Sequence, residues 1–467
     1  MLSSVIGVIL LLVHAAGVLA AMHAVMNTRT PQGAFAWALG LVLLPYITLV
    51  PYLYLGRSRF HGYVDLHRLR REQMQAMANT TLQSALSTPW VCERYEEIAT
   101  MLRARFHPGQ RLRLLVNGET TFNAMLSAIG EARHCVLMQF FIIHDDALGR
   151  RLQQVLLERA RAGVEVCVLY DGIGSHALPS HYVDTLREGG VAIHPFATQR
   201  RSNRFQLNFR NHRKILVVDG TRGFVGGLNV GDEYLGLKPP LSPWRDTHLQ
   251  IEGPAVADLQ RSFAEDWHWV TGALPPLLRP EHAAGHTHTL IAATGPADRQ
   301  ETCSLFFVTL IHAARRRLWI TTPYFVPDQA VMSALRLAVF RGVDVRVLIP
   351  SRPDHHAVFL ATGLYAHDAV RAGIRVYRYQ PGFLHEKVVL VDDDTASVGS
   401  MNLDNRSFRL NFEIGALSVG TEFAAEVEAM LREDFSHAHE VTEAEYLKAP
   451  YLRRLAMHVA RLFDPVL

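Results

Sequence analysis

Two short segments of this 467-residue chain carry the same side chains in the same order, and any fold it adopts must accommodate both. His212-Arg213-Lys214 is followed, five positions after the lysine, by Asp219 and then by Gly226-Gly227-Leu228-Asn229. His385-Glu386-Lys387 is followed at the same distance by Asp392 and then by Gly399-Ser400-Met401-Asn402. In both copies the Asn lies 17 residues after the His. A single His-x-Lys-x-x-x-x-Asp is weak evidence of anything. Two copies with their downstream residues in step imply one site assembled from two half-sites.

Between Lys and Asp run Ile215-Leu216-Val217-Val218 and Val388-Val389-Leu390-Val391, β-branched-rich segments that read as buried strands. Side chains alternate along a strand, so His and Lys, two apart, project to one side. Four-residue turns at 219–222 and 392–395 followed by return strands set His212 opposite Asn229 and Lys214 opposite Gly227. The second copy then sets His385 opposite Asn402 and Lys387 opposite Ser400, and a small residue facing each Lys leaves room for a ligand. A slip of one residue would turn these side chains to the other face.

Pooled, the two copies offer two imidazoles, two ammoniums and two carboxamides. That set suits a phosphodiester, whose negative charge grows during in-line attack. One neutral His can attack phosphorus, and a protonated one can release the leaving alcohol. The chemistry needs no metal, and no cofactor is expected.

The paired motifs resemble the phospholipase D superfamily, and the flanking text is similar to that of bacterial cardiolipin synthases. Trp244-Arg245-Asp246-Thr247-His248 with Ile251-Glu252-Gly253-Pro254, and Asp266-Trp267 further on, match the first half of that family. Thr322-Pro323-Tyr324-Phe325-Val326-Pro327-Asp328, and Asn402 to Phe408 with Asn411-Phe412-Glu413, match its second half. The resemblance implies that His212 is the nucleophile and His385 the general acid and then base. It implies that Lys214, Lys387, Asn229 and Asn402 hold the phosphate, with Gly227 and Ser400 lining the same place. Asp246 and Glu413 would orient the imidazoles through the ring nitrogen that does not react. Asp219 and Asp392 complete the catalytic motif, and their turn positions suggest that they brace the hairpins. Gly227 departs from the Ser that many members carry.

The resemblance implies an α/β fold of two phospholipase D-like domains, mixed sheets flanked by helices, related by pseudo-twofold symmetry and preceded by two transmembrane helices. The residues agree. Val5 to Val25 and Ala34 to Tyr54 are uncharged runs of spanning length, with Gly40, Pro45 and Pro51 expected to kink the second. Arg57, Arg59, Arg68, Arg70 and Arg71 follow, which by the positive-inside rule puts the catalytic body in the cytoplasm. A cleaved signal peptide is the rival reading of the first run, which has no Lys or Arg before its apolar core. The four cysteines, at 92, 135, 167 and 303, lack paired spacing and read as free thiols.

Beyond residue 110 the chain repeats at offsets of 173 to 183 residues: Ala162-Gly163-Val164 matches Arg341-Gly342-Val343, and Gly190-Val191 matches Gly373-Ile374. The expected organisation is an anchor over 1–56, a basic, partly helical connector over 57–110, domains over 111–280 and 281–440, and an amphipathic C-terminal helix over 441–467. Polar residues Glu281 to His288 mark the junction, and His282, His286 and His288 read as solvated linker rather than metal ligands. Arg200, Arg201, Arg204, Arg210 and Arg213, with Phe205 and Phe209 between, suit an anionic lipid surface better than nucleic acid. Asp354-His355-His356 follows a strand end and is a candidate headgroup contact.

The function implied is transfer of a phosphatidyl group between two phosphatidylglycerols, giving cardiolipin and glycerol through a phosphohistidine with retention at phosphorus. Phosphatidylethanolamine is a conceivable second donor. The partners expected are phosphatidylglycerol, other anionic phospholipids and a bacterial cytoplasmic membrane crossed more than once, with no nucleic acid. A hydrolytic phospholipase D would use the same residues with water as acceptor. A nuclease of the superfamily would have no use for the anchor, and a dead-site scaffold would lack a motif His or Lys.

Overall fold

The computed structural model describes residues 2–28, 31–56, 89–196, 208–280 and 285–466. Arg57 to Arg71, Arg200, Arg201, Arg204, Phe205 and His282 lie outside them.

Each half begins with the strand through which the two halves join and alternates strand and helix before its motif hairpin. The first half has β1 (His107–Val116), β2 (Cys135–Phe140), β3 (Glu165–Asp171), β4 (Ala192–Phe196), β5 (Ile215–Val218), β6 (Arg222–Gly226) and β7 (Thr247–Glu252). The second has β8 (Thr287–Thr294), β9 (Arg317–Thr321), β10 (Asp344–Pro350), β11 (Arg375–Tyr379), β12 (Val388–Val391), β13 (Thr395–Gly399) and β14 (Asn411–Val419). Spatial order is β1-β7-β6-β5-β2-β3-β4 in one half and β8-β14-β13-β12-β9-β10-β11 in the other, so the topologies are the same. Parallel β2-β3-β4 and β9-β10-β11 carry helical crossovers, while the motif hairpins are antiparallel. The mixed α/β architecture thus agrees with the expectation. His288 is no linker residue: it lies in β8, paired with Val419, because β8 joins β1 antiparallel and fuses the two sheets into one.

Alternation decides what each motif strand buries. Leu216 and Val218 pack under the helices Asn117–Gly130 and Ala147–Arg161 of the first half. Ile215 and Val217 face a central core shared with Val388, Leu390 and Ile414 of the second half and with helices Val256–Thr271 and Thr421–Ser436. Both sheet faces are therefore covered, as a near-continuous apolar strand requires. Each such side chain contributes about 1.5–3 kcal/mol on burial. The shared central layer, more than any linker, holds the half-sites in register. Cys135 and Cys167 sit in β2 and β3 as buried free thiols, both pushed up to about 12 by burial, and Cys303 is likewise free and buried.

The motif turns are one residue shorter than the sequence suggests. Val218 pairs with Arg222 and Val391 with Thr395, so continuing each ladder sets Lys214 opposite Gly226 and Lys387 opposite Gly399. The cause is the aspartate. Asp219 and Asp392 adopt positive φ (51° and 53°), a region Asp tolerates better than most residues, and close the loop within three residues. The expected facing partners Gly227, Asn229, Ser400 and Asn402 are each displaced by one, and a small residue still faces each Lys.

At the N-terminus α1 (Leu2–Asn27) contains 23 residues, Val5–Asn27, long and apolar enough to cross a bilayer. The second apolar run is not one helix. It divides into α2 (Pro31–Leu43) and α3 (Pro45–Leu55), because Pro45 forces Leu44 out of helical geometry (φ −133°, ψ 54°). Thr48 Oγ1 donates to the carbonyls of Gly40 and Leu44 at 2.9 and 2.8 Å, satisfying acceptors at the break. The described part of the connector is packed rather than loose. Val91, Tyr95, Ile98 and Leu102 enter the second half's core, and Arg94 bonds Asp392 at 2.8 Å and Asp394 at 2.7 Å.

Candidate active site

Each motif histidine is placed by the backbone of the opposite half. Arg210–Asn211 pairs in parallel with Asn411–Phe412, and His212 N–H donates to the Phe412 carbonyl at 2.9 Å. Phe383–Leu384 pairs in parallel with Trp244–Arg245, and His385 N–H donates to the Arg245 carbonyl at 2.7 Å. The residue after each accepting carbonyl is an acid. His212 Nδ1 therefore meets Glu413 Oε2 at 2.9 Å, and His385 Nδ1 meets Asp246 Oδ2 at 2.7 Å. A carboxylate accepts, so Nδ1 keeps the proton and Nε2 carries the lone pair. Each imidazole thus takes its carboxylate from the opposite half.

The residue between His and Lys points the other way and ties the halves together. Arg213 pairs with Asp266 at 3.0 Å and donates to the Glu413 and Thr294 carbonyls. Glu386 pairs with Arg245 at 2.9 Å, and Arg245 also holds Asp434 at 2.6 Å.

Electrostatics follow from burial. His212 is lowered to about 4 by burial first, with Lys214 and Lys387 adding to the effect against Glu413. His385 is lowered to about 4 by burial and then by Lys387, against Asp246. Lys387 is lowered to about 8 by burial, with Asp246 and Glu413 opposing, and burial takes Lys214 well below its ordinary value. Burial alone would raise Asp246 and Glu413; the facing His and Lys groups and hydrogen bonds outweigh it and hold both below the usual carboxylate range. Each His feels the Lys of the opposite half, so the four groups share one field. Burial thus disfavours the protonated form of both imidazoles, and two lysines act on them, a combination that suits an anionic substrate and a nucleophilic Nε2.

The other motif residues sort by place. Lys214 Nζ donates to the His212 carbonyl at 2.7 Å and lies 5.5 Å from the centre of the Phe141 ring. Lys387 Nζ stands 2.9 Å from His385 Nδ1 and also donates to the His385 carbonyl. Asn229 Oδ1 accepts from Ile142 N–H at 3.2 Å and its Nδ2 donates to the Tyr234 hydroxyl at 3.0 Å. Asn402 Oδ1 is buried with no hydrogen-bond partner among the described residues.

Four assignments need correction. Ser400 Oγ donates to Glu413 Oε2 at 2.6 Å and so supports that carboxylate instead of facing a phosphate. At Gly227 a Cβ would lie 2.1 Å from Asp246 Oδ1, so the carboxylate already fills the space a side chain there would need. Asp219 and Asp392 lie at the far turns, away from the histidines. Asp219 accepts the N–H groups of Arg133, His134 and Cys135 at 2.8–2.9 Å, and Asp392 accepts those of Arg315, Arg316 and Arg317 at 2.8–3.2 Å. They hold the hairpin to the neighbouring strand, as their turn position suggests, and take no direct part in the site.

Several residues here escape the motif. Phe141 meets the His212 ring edge-on at 5.0 Å, and Trp244 and Phe383 lie 5.1 and 5.9 Å from the His385 ring. Ser407 Oγ and Asn411 Nδ2 donate to Glu413 Oε1 at 2.9 and 3.1 Å. Tyr324 donates to Asp354, whose charge acts on Lys387. Phe141 follows the end of β2, the edge where site loops collect, and that was its only signal.

Comparison with known proteins fits this geometry. The family model described as cardiolipin synthase, phospholipase D-like domain, matches residues 125–267 and 307–435, and a phospholipase D-nuclease N-terminal model matches residues 15–57. Cardiolipin synthase A of Pseudomonas aeruginosa strain LESB58 is 57% identical over 99% of this chain and 96% of its own length. Cardiolipin synthase A of Pseudomonas putida (KT2440) is also 57% identical, over 99% of this chain and 98% of its own. Among solved structures, phosphatidylserine synthase of Haemophilus influenzae Rd KW20 shares the fold, with a TM-score of 0.62 at 15% identity over 80% of this chain and all of that one. With two crossed His–carboxylate pairs and a family match in both halves, this chain belongs to the phospholipase D-like cardiolipin synthases.

Proposed function

We propose that this protein is a membrane-anchored phosphatidyltransferase that joins two phosphatidylglycerols into cardiolipin and releases glycerol. The observation that carries it is the crossed pairing, His212 with Glu413 and His385 with Asp246, with both imidazoles within the field of both lysines. The names of the relatives at 57% identity support the lipid product.

In the first step His212 Nε2 attacks the donor phosphorus. The bond from phosphorus to the headgroup glycerol oxygen breaks, and His385 Nε2–H gives that oxygen its proton. Lys214, Lys387 and the amides of Asn229 and Asn402 offset the growing charge. In the second step His385 takes the proton of the primary hydroxyl on a second phosphatidylglycerol. That oxygen attacks phosphorus and the bond to His212 Nε2 breaks. Two displacements give retention at phosphorus.

The free protein holds both histidines neutral, so the acid role needs an explanation. A bound phosphodiester cancels part of the lysine charge that depresses His385, which raises its proton affinity when substrate is present. Anchoring supports transfer over hydrolysis, since a site fed from the bilayer meets lipid acceptors before water. We read α1 as one span and α2 with α3 as a second, broken one, with the catalytic body on the cytoplasmic side of a bacterial inner membrane.

Purified full-length protein with headgroup-labelled phosphatidylglycerol tests the reading. Cardiolipin and free glycerol in equal amounts are expected. Phosphatidic acid as the main product would replace it with the hydrolytic alternative.

A further inference from the structure

A cavity of about 790 Å³ lies where the N-terminal helices meet the catalytic body. Its size falls within the ~300–1,000 Å³ of small-molecule sites. Trp37 and Leu55 line it from α2 and α3, Leu410 from the segment that leads to Glu413, and Leu455, Val459 and Leu462 from the C-terminal helix and its end. Two arginines reach its rim, and both are already matched. Arg409 pairs with Glu301 at 2.8 Å and Asp328 at 3.3 Å, and Arg461 pairs with Asp368 at 3.1 Å. A phosphate would therefore gain little here, whereas an apolar chain meets six apolar walls.

The C-terminal helix, Tyr451–Arg461, gives an independent observation. Its Met457 and Ala460 are buried, and it packs on the helix His356–Arg371. Leu452 and Leu462 nevertheless remain 75% and 77% exposed, and Leu455, Val459 and Phe463 are exposed beside them. Arg453, Arg454 and Arg461 flank this apolar face, the pattern of a helix lying in a membrane interface. It is continuous, through the cavity, with α2 and α3. Asn208 Nδ2 donates to the Leu55 carbonyl at 2.8 Å, tying the end of the anchor to the segment four residues before His212. Leu410, on the opposite wall, is three residues before Glu413. The cavity thus adjoins both members of the first dyad along the chain.

We propose that this cavity receives an acyl chain of a bilayer phospholipid, with the C-terminal helix embedded in the membrane interface as its outer wall. The inference rests on the reading of the protein as a phosphatidyltransferase fed from the bilayer. Holding one chain at the anchor–body junction draws the lipid partly out of the leaflet while its phosphodiester faces His212.

The test uses full-length protein in vesicles of phosphatidylethanolamine and phosphatidylglycerol, with a photoreactive benzoylphenylalanine at Val459. The control position is Phe340, which is 84% exposed at the opposite end of the strands. Lipid adducts are expected about tenfold more often at Val459 than at Phe340, a difference of one decade in occupancy. Val459→Trp, which fills the cavity, should lower kcat/KM for long-chain phosphatidylglycerol in vesicles about tenfold and leave turnover of water-soluble dihexanoyl-phosphatidylglycerol unchanged. Cross-links from Val459 to protein alone, equal lipid adducts at both positions, or an equal loss on both substrates would overturn the inference. Wild-type protein that converts neither substrate would instead refute the transferase reading, and the adduct ratio would then decide the cavity by itself.

Discussion

Around His212 the supporting carboxylate of Glu413 collects His212, Ser400, Ser407 and Asn411, whereas around His385 Asp246 collects the imidazole and the Thr247 amide. The backbone plan is the same in both; the side chains are not interchangeable. Glu413 sets back far enough to admit a Ser at 400, while the carboxylate of Asp246 occupies the space beside position 227 and excludes any Cβ. Gly227 with Asp246 and Ser400 with Glu413 are therefore matched pairs. Both lysines donate to the carbonyl of their own His, but Lys387 also stands against His385 Nδ1, while Lys214 meets an aromatic face. The firmly held, four-donor half suits a nucleophile. The half with an ammonium beside the ring suits proton exchange.

The largest break in that comparison is His212→Ala against His385→Ala. Each should lower cardiolipin formation by about 10⁴-fold or more, since residues acting as a unit fail together. They should differ in one respect when the donor carries a leaving group that needs no proton, such as p-nitrophenol: His385→Ala accumulates a covalent phosphatidyl adduct, and His212→Ala forms none. Mass spectrometry of protein quenched after exposure to phosphatidyl-p-nitrophenol reads this, and an adduct in His212→Ala alone would reverse the roles.

Next come the carboxylates. Glu413→Gln and Asp246→Asn keep shape but remove the charge that fixes each ring's proton on Nδ1, and each should cost about 10²-fold in kcat/KM. Steady-state kinetics with folded variants, checked by circular dichroism, decide it. Loss in only one variant would show that the two halves are not functionally crossed.

The matched pairs make a subtler test. Gly227→Ser pushes a Cβ and hydroxyl into Asp246 and should destabilise the protein by about 1–3 kcal/mol, with a loss of activity. Ser400→Gly removes one donor to Glu413 and should cost about 1 kcal/mol. Adding Asp246→Glu to Gly227→Ser rebuilds the second half's pair in the first half and should recover most of the lost thermal stability. A double variant no better than Gly227→Ser would show that the pairing is incidental.

What the chain reveals by itself follows from periodicity and duplication. The twin motifs, the β-branched strands and the repeat offset disclose the mixed α/β halves, because each is a local pattern. The register lies one residue from that predicted by strand alternation, since the turn length depends on Asp219 and Asp392 adopting positive φ, and that in turn depends on amides of a segment distant in sequence. The fusion of the sheets through β1 and β8 is hidden for the same reason: Thr287 and His288 look polar, and only the long-range pairing makes them a strand. Pro45 announces a kink, and the clash of its ring with Leu44 is enough to split the second apolar run into two helices. Phe141 and Tyr234 carry no spacing rule at all. They reach the site only through tertiary packing.

The smallest expected effect sharpens the contrast between the two lysines through pH. His212, lowered to about 4, must be neutral to attack, so its protonation should lower kcat/KM on the acid side only near that value, far below the ~6.5 of a free imidazole. Stability has the same sign. Between about 6.5 and about 4 the unfolded chain binds protons that the native histidines do not, so stability is full above that window and declines as pH falls through it. Lys387, lowered to about 8 by burial, loses its charge as pH rises, and phosphodiester binding should weaken through that value. Lys387→Arg keeps a cation that stays protonated, so the alkaline limb should move upward by a unit or more even if the maximal rate drops. A pH profile of kcat/KM from about 4 to about 10 on vesicles reads both limbs. An alkaline limb that stays near 8 in Lys387→Arg would assign it to some group other than Lys387, and Lys214, whose proton affinity burial also depresses, would be the next to replace.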